Sequence, residues 1–152
     1  MRTLLYTMKP EETIDFHIRW AWAKMSKTYN AQAAKVNATM PMAYALLSID
    51  KDGTPATKLG PKMGMEPTGL SRLLKTMEEQ GYITRKRDEG DARKVFIHIT
   101  PKGQEYREIA KQHVIAFNEH MHKAIPAEQL TVFFEVMQLI NKELDKNKIF
   151  GQ

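Results

Sequence analysis

The chain has 152 residues, with 23 Lys and Arg against 18 Asp and Glu, long enough for one domain with or without an oligomerisation extension. It contains no cysteine, which excludes disulfides, thiolate metal sites and thiol redox sensing. Residues Met1 to Pro10 hold no apolar run suited to a signal peptide, and no segment approaches the ~18 apolar residues of a membrane span, so a cytoplasmic protein without a membrane partner is expected.

Pro10-Glu11-Glu12 reads as a helix start, with proline in the first turn and carboxylates at the positive end of the dipole. Ile14, Ile18, Trp22, Met25 and Tyr29 then recur at helical spacing, while Phe16 and Trp20 occupy a neighbouring face. A helix apolar on more than one side implies contact with its own domain and with either a partner chain or a ligand. Met40-Pro41 opens a second helix carrying Tyr44, Leu46, Leu47 and Ile49, stopped by Asp50-Lys51-Asp52-Gly53. Thr54-Pro55 is expected to open a short third helix ending near Met63, with Gly64 at the turn behind it. Glu66-Pro67 opens a fourth, capped by Gly81.

A short cationic hairpin follows, from Tyr82 to Ile99. Val95, Ile97 and Ile99 alternate with Phe96 and His98, so one face is expected to be buried. Thr100-Pro101-Lys102-Gly103 then starts a long helix with Tyr106, Ile109, Ala110, His113, Val114, Phe117 and Met121 on one stripe. Pro126 starts the last helix, where Leu130, Phe133, Phe134, Met137, Ile140 and Leu144 recur three and four residues apart. The expected order is four helices, a hairpin and two helices: mainly α, with a small β-hairpin wing.

The chemistry lies in the middle third. Between Pro67 and Gln80, Leu70, Leu73, Leu74 and Met77 form a face to bury, leaving Thr68, Gly69, Ser71, Arg72, Lys75 and Thr76 on the other side. In a helix-turn-helix the second helix offers such a face to base edges and phosphates. Gly69 lets backbone come close, and Arg72 can bind a guanine edge with both arms of its fork. Taken alone, the same helix also reads as an ordinary amphipathic helix with a solvated face. The hairpin changes the balance: Arg85, Lys86, Arg87, Arg93 and Lys94 cluster on it, with Asp88, Glu89 and Asp91 at the turn. A cationic hairpin directly after a helix-turn-helix has the geometry to reach a narrow minor groove, and Asp91 can hold the Arg93 guanidinium in place.

Leu59 through Gly103 resembles the winged-helix core of MarR-type transcriptional regulators. Asp91-Ala92-Arg93, the strand to Ile99 and Thr100-Pro101-Lys102-Gly103 are similar to the family's Asp-x-Arg wing and Leu-Thr-x-x-Gly helix start, with Ile99 in the leucine's place. Ser71-Arg72-Leu73-Leu74 and the run from Met77 to Arg85 resemble the recognition helix and its exit. The helix order fits over roughly residues 10 to 146. Two departures stand out: Gly60-Pro61 inside the third helix, which implies a short or kinked helix, and Glu66 as a weak cap for the fourth.

The resemblance implies a winged helix-turn-helix with N- and C-terminal dimerisation helices, divided as residues 1–39, 40–103 and 104–152. It implies a homodimer on a pseudo-palindromic double-stranded operator, a dimeric repressor released by a small-molecule effector. Ser71 and Arg72 would read or clamp the major groove, and Arg93, oriented by Asp91, the minor groove. Thr68, Gly69, Lys75, Arg85, Arg87 and Lys94 complete the expected DNA-binding set. An effector of this family, often a small aromatic or phenolic anion, would meet Trp20, Trp22, Met25, Met42, Tyr44, His113 and Phe117, which otherwise read as core and dimer packing. No cofactor is expected. His113, His120 and His122 share one helix with spacing unsuited to one metal ion. No phosphate loop, nucleophile elbow or catalytic triad order argues for an enzyme. The competing reading is a winged-helix module for architecture or protein contact, with little sequence specificity.

Overall fold

The protein, known here as a computed structural model, is described over residues 8–146 and 149. Residues 1–7 of the N-terminal segment, and residues 147–148 and 150–152 of the expected C-terminal region, lie outside them. Two compact units divide the chain, Met1–His113 and Val114–Gln152.

In the first unit, Pro10–Glu12 form a single 3-10 turn rather than the start of the long helix. Thr13 closes that turn, since its amide and hydroxyl both donate to the Pro10 carbonyl (3.1 and 2.7 Å). Its extended backbone separates the turn from α1, Ile14–Ala34. Asn37, in the left-handed region at φ 54°, then turns the chain towards α2, Met40–Ser48. The Thr39 hydroxyl accepts from the Met42 amide and caps α2.

Thr54 and Pro55 do not open the third helix. They form a two-residue strand, β1, antiparallel to β3 (Val95–Ile99), with Thr54 opposite Ile97 and Pro55 opposite Phe96. An edge strand tolerates proline because its missing N–H is not needed for the ladder. The Thr54 hydroxyl, buried beneath the chain, accepts from the Asp50 amide (2.8 Å) and donates to the Asp50 carboxylate (3.0 Å). The wing is therefore a three-stranded sheet in the order β1-β3-β2, where β2 is Ile83–Arg87.

α3 begins after β1 and spans Ala56–Met63; Gly60-Pro61 is accommodated within its eight residues. A Cβ on Gly60 would lie 3.2 Å from the Met65 carbonyl oxygen and 3.3 Å from Leu70, so the missing side chain lets the next helix approach closely. Gly64 makes the turn at φ 63°. At the end of α3, Lys62 donates to the Ser48 carbonyl (2.9 Å) and to Asp50 (2.8 Å), tying α3 to the end of α2. The Lys62 and Thr54 hydrogen bonds hold the Asp50 carboxyl below the usual carboxylate range. α4 follows, Pro67–Glu79.

The core of this unit collects Leu46 from α2 and Ile49 just after it, Leu59 from α3, Met77 from α4, and Ile83 and Ile97 from the sheet, each at most 2 % exposed. Of the alternating β3 residues Ile97 alone is fully buried. Phe96 and His98 on the other face are also partly covered, with the His98 ring packed where a Gly53 side chain would stand.

α5 spans Pro101–Ala124. The Thr100 hydroxyl accepts from the Gly103 amide (3.0 Å) and donates to the Gly81 carbonyl (2.6 Å). Lys102 donates to the Gln80 carbonyl (2.7 Å), so the start of α5 caps the end of α4. Gly103 sits against backbone: a Cβ there would lie 2.1 Å from the Tyr82 carbonyl oxygen. A carbonyl held in a cap cannot yield as a flexible side chain does. Gly103→Ala should therefore lower stability by about 1–3 kcal/mol, the usual cost of overpacking. Thermal unfolding at fixed protein concentration should show a midpoint lower by about 2–12 °C. An unchanged midpoint would mean that the close approach costs nothing to relieve.

In the second unit α5 ends and α6, Ala127–Asp145, follows. α6 buries Leu130 but leaves Val132, Phe133, Phe134, Val136, Leu139 and Leu144 exposed.

Candidate nucleic-acid interface

α4 presents the two faces expected of it. Leu70, Leu74 and Met77 are buried against α2 and the sheet, and Leu73 is half-buried. Thr68, Gly69, Ser71, Arg72, Lys75 and Thr76 are exposed. The Thr76 hydroxyl donates back to the Arg72 carbonyl (3.1 Å). Glu66 supplies no side-chain cap, so the polar N–H groups of the first turn point out of the helix end without an internal carboxylate partner.

β2 and β3 project beside this helix. Arg85 stands opposite Ile97 and Arg87 opposite Val95. The Arg85 Nε meets the Glu78 carboxylate at 3.1 Å, locking the first strand of the wing to the last turn of α4. Lys75 makes a longer contact with Glu79, 3.9 Å, one turn along the same helix. The ion pairs among the described residues involve none of Arg72, Arg87, Arg93 and Lys94. Those four cations remain available to an outside anion.

Two of the three acids of the wing tip shape it. Asp88 accepts from the Gly90 amide (2.7 Å) and Asp91 from the Arg93 amide (3.1 Å). Asp88 and Lys94 close the loop through their backbones (2.9 Å). Asp91 thus holds the Arg93 main chain and not its guanidinium, because a carboxylate two residues upstream reaches the amide in an Asx turn at less entropic cost than a long side chain. The Asp88 and Asp91 carboxylates are spent on turn geometry, and the cations of the wing are exposed.

A second feature lies deeper in the same unit, a cavity of about 40 Å³ among the end of α1, α2, Tyr82 and α5. Met42 and His113 line it, joined by Tyr29, Ala33, Tyr82 and Tyr106. Of the other residues expected to meet an effector, Trp20, Trp22 and Tyr44 are exposed at 50, 55 and 45 %. Met25 is half-buried but does not line the cavity, and Phe117 is half-buried in the second unit. The Tyr82 ring packs tilted by 52° against Tyr106, 4.6 Å between centroids, with the Lys102 ammonium 4.6 Å from its own ring centre. Sequence reasoning did not single out Tyr29, Ala33, Tyr82 or Tyr106 for this role. Glycine and tyrosine directly after the fourth helix were the available signal, since a side chain following a helix cap is returned to the core.

Comparison with known proteins is consistent with this geometry. A family profile described as the MarR family matches residues 45–95. An organic hydroperoxide resistance transcriptional regulator of Bacillus subtilis is 36 % identical over 104 residues, covering 68 % of this chain and 71 % of that protein. Among solved structures, that of the Staphylococcus aureus MepR-DNA complex superposes with a TM-score of 0.80 at 16 % identity, over 86 % of this chain and 98 % of the other. The PcaV transcriptional regulator from Streptomyces coelicolor, in complex with its natural ligand, superposes with a TM-score of 0.79 at 14 % identity, over 90 % and 96 %.

Proposed function

The chain belongs to the MarR family of transcriptional regulators, and from that premise we propose that it is a dimeric repressor that binds a pseudo-palindromic operator and is released by a small molecule. Regulation by DNA binding, without catalysis, is its activity. The observation that carries this reading is the pairing of one exposed polar helix face with an adjacent wing whose Arg87, Arg93 and Lys94 have no acidic partner among the described residues. α4 enters the major groove with Thr68, Gly69, Ser71 and Arg72 at base edges, and Lys75 at a phosphate. Arg93 enters the minor groove from a tip held by Asp91, while Arg87 and Lys94 contact the flanking backbone. Arg85, engaged by Glu78, sets the angle between wing and helix.

A second copy of the chain covers the apolar face of α6 and the exposed Ile14, Ile18, Trp20 and Trp22 of α1, a set of large side chains that a lone protomer leaves in water. Residues 1–39 and 104–152 build that hub, and 40–103 bind DNA. No helix of the described residues is long and apolar enough to cross a membrane, in keeping with work on cytoplasmic DNA. The relative solved with DNA and the relative solved with its ligand share the fold and support both halves of the reading. With no cysteine in the chain, the releasing signal is not read by a thiol and arrives instead as a bound molecule.

The test is a selection from random duplex DNA with the purified full-length protein, then titration of the enriched sequence at two salt concentrations. An enriched inverted repeat, bound about a thousandfold or more tighter than scrambled DNA, is the expected result. Equal, strongly salt-dependent binding to every sequence would instead identify an architectural module.

A further inference from the structure

The two acids at the end of α4 stand where the helix itself gains nothing from them. Glu78 and Glu79 are its last two residues, and its last turn has no basic residue. The C-terminal end of a helix carries the negative pole of its dipole, so carboxylates there are unfavourable and cations would be favourable. Both acids also border a surface whose partner is a polyanion. Each sits beside a cation of that surface, Glu79 beside Lys75 and Glu78 beside Arg85.

The two pairs differ in kind. Lys75 and Glu79 lie one turn apart on the same helix at 3.9 Å, a loose contact that a phosphate can replace. Arg85 instead reaches across from β2, and its Nε meets the Glu78 carboxylate at 3.1 Å. Ser71, Leu74 and Arg85 line one groove, and Ser71 stands two turns before Glu78 on α4. The guanidinium is thus drawn along the flank of the helix to its C-terminal end. A helix-turn-helix reads bases with the N-terminal residues of its second helix, so Glu78 holds Arg85 at the far end from the bases. Both side chains remain in contact with water, 35 and 43 % exposed, and without the carboxylate the guanidinium is free to meet a phosphate.

We propose that Glu78 is a specificity-determining residue: by holding Arg85 it withholds from DNA a cation that would otherwise bind phosphates of any sequence. The proposal rests on the reading of the chain as a DNA-binding regulator. Phosphate contacts supply the sequence-independent part of affinity. On scrambled DNA they are all that holds the protein, and each additional one counts in full. On the operator, base edges fix the register, and Arg85, rooted opposite Ile97 in the sheet, meets only what lies within reach of that one position. Releasing Arg85 therefore raises non-specific binding more than operator binding.

Glu78→Gln, which removes the charge at nearly constant shape, tests this in the full-length protein. Scrambled duplex and enriched operator are titrated between about 50 and 200 mM salt. At the lower salt, scrambled DNA should be bound about tenfold more tightly than by the wild type, while operator affinity changes by less than about threefold. On scrambled DNA the slope of log affinity against log salt should steepen by about 0.9 for each phosphate gained, about 1.8 for a dimer. The Glu78→Gln, Arg85→Gln double variant should return to the slope of Arg85→Gln alone. Glu89→Gln removes the same charge from an exposed wing residue that has no ion-pair partner among the described residues, and it should leave the slope unchanged. An unchanged slope for Glu78→Gln, equal gains on operator and scrambled DNA, the same gain from Glu89→Gln, or a gain that survives in the Arg85→Gln background would each overturn the proposal. A lower thermal midpoint without a steeper slope would make the pair a structural brace and overturn it as well. A selection that enriches no sequence would overturn the regulator reading instead; an Arg85-dependent gain on scrambled DNA would then still identify the withheld cation.

Discussion

A Val136→Glu, Leu139→Glu double variant should sediment as a monomer and lose tight binding to the enriched operator. Val132, Val136 and Leu139 repeat along one stripe of α6 and are 56, 45 and 60 % exposed in the single protomer. Full burial of such a side chain stabilises by about 1.5–3 kcal/mol, and roughly half of that remains to be gained by each. At roughly 1 kcal/mol for each of the four altered side chains in a two-fold dimer, the lost burial alone comes to about 4 kcal/mol. That corresponds to about a thousandfold in dimer dissociation. Four carboxylates without partners then add their own desolvation cost. Operator affinity falls with it, because each half-site is then bound by a separate protomer. Gln138→Glu, on the same helix, controls for charge alone. A double variant that still sediments as a dimer and binds operator normally would place the hub elsewhere.

The second large effect is expected at the DNA surface. Arg72→Ala and Arg93→Ala should each weaken operator binding by about 1–3 kcal/mol. The two residues stand on different elements, α4 and the wing tip, and share no hydrogen-bond or ion-pair partner among the described residues. Their losses should add, to about 2–6 kcal/mol in the double variant. The two changes should differ in kind. Arg72→Ala should relax sequence preference at one base pair of each half-site, as expected of a residue reading a guanine edge. Arg93→Ala should weaken discrimination for a narrow, A·T-rich groove at the flanks. Titration of single-base operator variants against both proteins separates these outcomes. Uniform loss across all sequences would reduce either arginine to a phosphate contact, and unchanged affinity would remove it from the interface. Neither variant should alter the dimer or the thermal midpoint, because both side chains are exposed.

Much of the architecture was legible in the chain because its signals are local. The fourth helix shows its two faces at a period of 3.6 residues, its Gly81 cap is a backbone requirement written in one residue type, and the cations of the wing are contiguous. Thr100 and Gly103 mark the start of α5 for equally local reasons, a hydroxyl that caps and a missing side chain beside the Tyr82 carbonyl. Composition alone also removed thiol chemistry, since a residue type that is absent can do nothing.

What tertiary structure decided were the pairings between residues distant in sequence. Thr54-Pro55 is too short to show a strand period and looks like a helix start until Ile97 and Phe96, more than forty residues away, accept it as an edge strand. Asp91 has two candidate partners in Arg93, backbone amide and guanidinium, and only the folded turn selects the amide. Arg85 looks like one more DNA-facing cation until Glu78 comes within 3.1 Å. The apolar stripe of the long helix likewise does not tell core from cavity. Whether Tyr106 and His113 fill space or surround it depends on how closely Tyr82 and the end of α1 approach. Side-chain type and spacing determine which face a helix buries; only the meeting of several faces in three dimensions determines which atoms touch and where a gap is left.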